Sequence, residues 1–304
     1  MLFGMAFLCI TFLLQGCSLN KLAVGTVGEI IVKGESVFEE EGDLEIAKAA
    51  LPANLKLIEV LYKEDPSNKK LGALLAKSYF AYSFAFVEEE YWNVKYTDYE
   101  KGIALKKRAS NLYLKGKNYA LKLLSGNQQF LNSISGDLKT FEENLQTIGK
   151  NDLPGLFWLG FNWGQYINLN QSSMEALADV IRVKLIMERV AELNENYYYG
   201  AAHIFLGSYY SSRPAMLGGN PELGKKHYEK AVSISGGKFL ITKVFYARYY
   251  ATQFQDIALY DRLLQEVNEA PDNILLGQEF LTAVSKKIAT RLLSQKEEFF
   301  DLDE

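Results

Sequence analysis

The chain has 304 residues, of which 48% are hydrophobic and 23% charged, enough apolar material for a sizeable core and unlike a disordered composition. A net charge of −4 lacks the basic excess that nucleic-acid binding needs. Two cysteines and two histidines exclude a disulfide framework and leave almost nothing for a Cys/His metal centre.

The first predicted element is a leader. Leu2 to Leu14 is uncharged and apolar apart from Gly4 and Thr11. As a helix it rises about 20 Å, too short to span a bilayer but the length of a secretory signal core. It runs into Leu14-Gln15-Gly16-Cys17, which is similar to a bacterial lipobox, with Gln15 standing where Ala or Ser is usual. Two readings stay open: a lipoprotein signal over 1–16 with Cys17 acylated, or an ordinary signal peptide with a chance cysteine. No Lys or Arg precedes the apolar run, which leaves an upstream start open. With Cys9 removed and Cys17 lipidated, the folded body has no thiol for a disulfide or a nucleophile.

Residues 17–42 contain Gly25, Gly28 and Gly34 and are expected to form a tether and a first short helix. From 43 to 304 the spacing predicts one all-α domain, because apolar residues recur at three and four and no strand alternation is sustained. Leu71, Leu74, Leu75, Ser78, Tyr79 and Tyr82 share one helical face; Met174, Leu177, Ile181 and Leu185 share another. Ser172 with Glu175 reads as a capping box, and Asn220-Pro221 as an N-cap followed by proline at the first helical position. Pro66 follows a helix stop, Pro154 opens a helix and Pro271 ends one. The triplets Glu39-Glu40-Glu41 and Glu88-Glu89-Glu90 read as solvated surface, and Tyr91 to Gly102 as a loop.

Four segments share a further pattern. Leu75-Ala76 is followed by Tyr79, Leu159-Gly160 by Trp163, Leu206-Gly207 by Tyr210, and Ala247 by Tyr250. A small residue followed three later by an aromatic is the first-helix signature of the tetratricopeptide repeat, a helix pair of about 34 residues. Gly224, Tyr228 and Ala231 continue the third unit at second-helix spacing, and Pro66 and Pro271 fall where repeats close. The predicted architecture is a set of irregular tetratricopeptide-like helix pairs stacked into a compact superhelical bundle; an unrelated helical bundle with an aromatic core is the alternative. Stacked pairs leave a concave groove. First-helix positions that face it place Phe80, Phe157, Phe161 and Val244 beside the cations Lys77 and Arg248. Such a lining suits an amphipathic organic acid or an acidic partner surface, whereas a rotation of the helices would make the phenylalanines plain core.

The lipobox and this helical pattern together resemble the TatT family, tetratricopeptide lipoproteins associated with TRAP transporters. The stretches that carry the resemblance are Leu156-Phe157-Trp158, Trp163-Gly164, Tyr197-Tyr198-Tyr199-Gly200 and the loop Arg213-Pro214-Ala215-Met216-Leu217-Gly218-Gly219-Asn220-Pro221. The resemblance implies an all-helical fold with cryptic repeats, a homotrimer with hydrophobic clefts, a periplasmic, membrane-anchored location, and the periplasmic solute-binding component of a TRAP transporter as partner. It implies no catalysis and no cofactor.

Chemistry-bearing motifs are scarce. His203 and His227 lie in helical patterns with no neighbouring histidine in the sequence, and read as packed or surface residues. There is no nucleophile elbow, zinc-protease helix or phosphate loop. Leu217-Gly218-Gly219-Asn220 reads as a tight turn feeding a capped helix, or as an anion site at that helix's N-terminus. The leading functional expectation is a lipid-anchored binding protein that docks the solute-binding component and holds or passes on an apolar or organic-acid ligand. An envelope scaffold unrelated to transport and a cleft hydrolase of envelope material are the alternatives.

Overall fold

In the computed structural model the described residues are 24–301, and they contain helices and no strands. The helices run in chain order as α1 (24–33), α2 (Glu35–Glu39), α3 (Leu44–Glu64), α4 (Lys69–Tyr82), α5 (Glu89–Val94), α6 (Tyr99–Leu123), α7 (Gln128–Ser133) and α8 (Leu138–Leu145). They continue as α9 (Leu153–Leu169), α10 (Met174–Ala178), α11 (Val180–Leu193), α12 (Ala201–Ser211), α13 (Pro221–Ser235), α14 (Ile241–Tyr246), α15 (Ile257–Glu269) and α16 (Glu279–Ser294). Two π-helical segments, Ser83–Glu88 and Ala247–Ala251, extend α4 and α14.

Local chemistry sets many of these boundaries. Asp43, Asn68, Asp98, Asp137, Asn220 and Asp256 each accept a backbone N–H at a helix start, a cap that stabilises by about 1 kcal/mol. Pro154 and Pro221 sit in first turns, where the absent N–H costs nothing. Pro52, by contrast, lies inside α3. The α4 face read from the sequence is buried throughout, from Leu71 to Tyr82. Each large side chain on it contributes about 1.5–3 kcal/mol by leaving water.

Several local expectations are corrected. Tyr91 to Gly102 is mostly helix: α5 runs to Val94, and Asp98 caps α6 by accepting from Lys101 N at 3.1 Å. The cap before α10 is Ser173, whose Oγ accepts from Ala176 N at 3.2 Å, so the expected Ser172–Glu175 box is out of register. The face expected over Met174–Leu185 breaks at Asp179, and Met174 is exposed. The buried side of α11 is Val183, Ile186, Met187 and Val190, which lies against α9. Of the acidic triplets, Glu88 and Glu89 are buried at 4% and 2% exposure, so the second is not a solvated surface. The expected tether is helical from residue 24, and Cys17 and the leader lie outside the described residues.

The helices pack as successive pairs: α4 with α6, α9 with α11, α12 with α13, and α14 with α15. The small residues marked in the sequence lie at the pair contacts. A Cβ on Gly160 would stand 2.3 Å from Met187 Sδ on α11, and one on Gly207 would stand 2.9 Å from the Tyr228 ring on α13. Ala76 and Ala247 are fully buried. Gly116 of α6 is another tight contact, since a Cβ there would overlap Asn162. The last helix, α16, packs against α14 and reaches back to α2 and α3, closing the layers around an interior space.

Candidate functional site

That space is bounded by the first members of the pairs. Lys77, Phe80 and Ala81 come from α4, Phe157, Trp158 and Phe161 from α9, Ala201 and Ile204 from α12, Phe245 from α14, and Phe280 and Leu281 from α16. The cavity is open at its mouth, and its enclosed space is about 90 Å³. Its wall is a connected set of rings. Phe80 lies 5.6 Å from Phe84, 5.7 Å from Trp158 and 5.6 Å from Phe161 between centroids. Phe157 touches Tyr197 and Tyr198 at 5.0 and 5.3 Å. Aromatic edges and faces at these spacings attract each other as well as excluding water.

Tyr198 reaches this wall through unusual backbone. Tyr198, Tyr199 and Gly200 are all left-handed, with φ of 47°, 58° and 77°. Two consecutive tyrosines in that region cost on the order of 1–3 kcal/mol each, which the surrounding packing must offset. Tyr198 lies 5.5 Å from Lys77 Nζ. Lys77 in turn bonds two carboxylates of α2, Glu35 at 2.5 Å and Glu39. Burial pulls the Lys77 ammonium down, but Tyr198, Glu35 and Glu39 outweigh it and hold the group above the ordinary lysine range. Lys77 therefore fastens α2 to the rim of the cavity.

Four of the six side chains read from the sequence as groove lining, Lys77, Phe80, Phe157 and Phe161, meet in this one cavity. Phe157 is also core, at 1% exposure, whereas Phe161 is partly exposed. Val244 is buried, and with Arg248 it lines a neighbouring smaller pocket. The residues missed were Tyr198, Phe239, Phe245 and Phe280, which close the cavity from later helices and connections. Aromatic composition was the signal for them, but nothing local says which way they face.

The loop before α13 is a tight turn. Gly218 has φ of 87°, Gly219 N donates to Pro214 O at 3.0 Å, and Asn220 accepts from Leu223 N at 3.1 Å. A Cβ on Gly219 would overlap the Arg213 carbonyl. Arg213 lies over the Tyr209 ring at 4.9 Å, and with Pro214 it edges an outer cleft shared with Phe161 and Tyr249. Pro221 starts the helix that this turn feeds.

The two histidines also meet, which the sequence reading did not anticipate. Their Nδ1 atoms are 2.9 Å apart and the rings stack at 5.2 Å. Burial pulls both imidazoles down, and the presence of His203 takes His227 to about 4. Among the described residues, no group of three or more His, Cys, Asp or Glu side chains is placed to hold a metal ion, and no helix is long and apolar enough to cross a membrane.

The family described as TRAP transporter T-component matches residues 40–300, which include every helix from α3 to α16 and all of the cavity's walls except Glu39. The chain belongs to the TRAP transporter T-component family. An association with TRAP transporters follows from that membership. This T-component chain is also 26% identical over 305 residues to an uncharacterised protein of Treponema pallidum (strain Nichols), a match that covers 95% of the chain and 94% of the relative. The T-component match contains Lys77, Phe80, Phe157, Phe161, Val244 and Arg248 and the loop from Arg213 to Pro221, and it does not reach Cys17.

Proposed function

We propose that this T component is a periplasmic lipoprotein, held to the membrane through Cys17, that docks the solute-binding component of its TRAP transporter and receives the apolar part of a ligand in its central cavity. The observation that carries this reading is the cavity itself. Four helices spread over the chain from residue 69 to 294 turn aromatic side chains onto one open space instead of filling it. An apolar cavity with a few polar groups at its rim is the usual form of a small-molecule site. The motif-poor interior supports binding rather than catalysis as its role. Two acyl chains on Cys17 would each add about 0.8 kcal/mol per buried methylene, enough for stable anchoring.

Self-association is part of the proposal, with a homotrimer as the expected assembly. On α3 the residues Ile46, Ala53, Leu57 and Val60 fall on one exposed stripe at the spacing of a helix-packing seam. That stripe suits a second copy of the chain.

Purification of the tagged full-length chain from native membranes tests these statements together. The solute-binding component is expected to co-purify, and mass measurement of the intact assembly reads the copy number. Recovery of envelope-assembly proteins without any transporter component would replace the docking reading with the scaffold one.

A further inference from the structure

Beside the apolar cavity lies a small pocket, mainly apolar but with charged side chains in its wall, framed by both π-helical segments. Phe84 and Glu88 come from the first, Arg248 and Tyr249 from the second, and Trp92 and Gln165 complete it. π-helical turns are rare, and they concentrate at functional sites because they redirect side chains that a regular helix would place elsewhere. Here both such segments of the described chain converge on one pocket.

The side chains in it are unevenly satisfied. Glu89 is spoken for, since Arg291 binds it through two nitrogens at 2.6 and 3.0 Å. Glu88 accepts from Trp92 Nε1 at 3.0 Å and from the Tyr113 hydroxyl. Arg248 stacks on Trp92 at 4.2 Å and lies 5.5 Å from the Tyr249 ring, but its guanidinium makes no hydrogen bond and no ion pair with any described residue. Gln165 is only 9% exposed; its oxygen accepts from Asn168 at 3.5 Å, and its Nε2 makes no hydrogen bond to any described residue. A guanidinium held flat on an aromatic ring keeps its edge N–H groups free, in the fork geometry that fits a carboxylate. Burial pushes the Glu88 carboxyl up, against the hydrogen bonds from Tyr113 and Trp92 and the charge of Arg248.

Phe84 and Phe245 are common to this pocket and to the apolar cavity, with their rings 6.0 Å apart. We infer that Arg248 and Gln165 bind the carboxylate of an amphipathic organic acid whose apolar tail passes between Phe84 and Phe245 into the central cavity. The inference rests on the cavity being a ligand site, as proposed above, and names the class of ligand it takes. Phe245, which stands between the two spaces, is only partly buried.

The test compares decanoate with decanol, which share a tail and differ in charge, by calorimetric titration of the purified full-length protein. Decanoate is expected to bind roughly tenfold or more tightly than decanol, the size of a hydrogen bond to a charged group. Arg248→Met should remove that preference and leave decanol binding unchanged. Orientation is read by tryptophan quenching. An α-bromodecanoate should quench Trp92, so that Trp92→Phe abolishes the effect, whereas ω-bromodecanoate should quench Trp158. Equal binding of acid and alcohol to the natural protein, binding of neither, or quenching by α-bromodecanoate that persists in Trp92→Phe would each overturn the assignment, and the first two need no variant that might be unstable. Co-purification of the solute-binding component with Arg248→Met separates the two readings. Retained partner with lost acid preference supports the headgroup site. Lost partner from the natural protein with acid preference intact sinks only the docking reading.

Discussion

Replacing Gly207 by Ala tests whether the helix pairs are held by close approach at the small positions. On an open helix surface the change stabilises by about 1 kcal/mol, because glycine is a poor helix former. At Gly207 the added Cβ meets Tyr228 Cδ2 and Cε2 at 2.9 Å and Cγ at 3.0 Å. Carbon atoms pack best at about 3.5–4.0 Å, so the ring must retreat by roughly 0.6–1 Å. It has nowhere to go. Tyr228 is fully buried, stacks on Tyr246 at 4.7 Å, and holds its hydroxyl 2.7 Å from Ser208 Oγ. Overpacking of this kind costs about 1–3 kcal/mol, which exceeds the helix gain and leaves a net loss of roughly 1 kcal/mol. Leucine adds three more carbons and should lie at or beyond the upper end of that range. Gly102 in α6 is the comparison, because its nearest neighbour to an added Cβ is at 3.4 Å, an ordinary contact. Thermal melts followed by circular dichroism should show Gly207→Ala below and Gly102→Ala at or above the natural protein, with Gly207→Leu lowest. At roughly 1.5–2 °C per kcal/mol for a chain of this size, the leucine variant should fall by several degrees. If Gly207→Ala melts as high as Gly102→Ala, close packing of α12 on α13 is not what stabilises the pair.

Phe157→Ala should cost about 3–5 kcal/mol of folding stability in denaturant titration because the ring is core, while the partly exposed Phe161→Ala should cost less and act mainly on decanol binding; equal stability losses would place Phe161 in the core too. The histidine pair sets a pH dependence. Its imidazoles are pulled below the unfolded value of about 6.5, His227 to about 4, so the unfolded chain takes up protons first as the pH falls. The stability they contribute is present above about pH 6.5 and is lost as the pH falls toward 4. Melting temperature should therefore drop across that window, and the double variant His203→Gln with His227→Gln should drop less; an identical slope would show that the pair does not titrate with unfolding.

What could be read from the sequence was what helices write locally. The buried α4 face, the Asn220-Pro221 start and the stops at Pro66 and Pro271 depend on residues within a turn or two of each other. The small positions Gly160 and Gly207 were legible for the same reason, since any close helix pair demands them whatever lies beyond. Lys77, Phe80, Phe157 and Phe161 followed once first helices were phased. Contacts across long stretches of chain were not legible. Glu89 reads as surface until Arg291, 202 residues later, is seen to bind it. Lys77 reads as a free cation until α2 is seen to fold over it. The histidines, 24 residues apart, meet only because α12 and α13 pack side by side. Tyr91 to Gly102 misled because its polar and aromatic composition masks the Asp98 cap.

The π-helical segments carry a consequence for how the chain could vary. A π turn accommodates one more residue than the regular turn it replaces, so it sets the angle between the side chains before it and those after it. Deleting a single residue from Ser83–Glu88 would let α4 run on as ordinary helix, but everything on one side of the cut would turn by about 100° relative to the other. Either the buried face from Leu71 to Tyr82 or the side chains of Glu88 and Glu89 would then point the wrong way. The same arithmetic applies at Ala247–Ala251, between the core side chain Val244 and the start of α15. A chain of this family that lost one residue at each of these two points would therefore need different core side chains on one side of each cut, so the length of these segments and the packing around them must vary together.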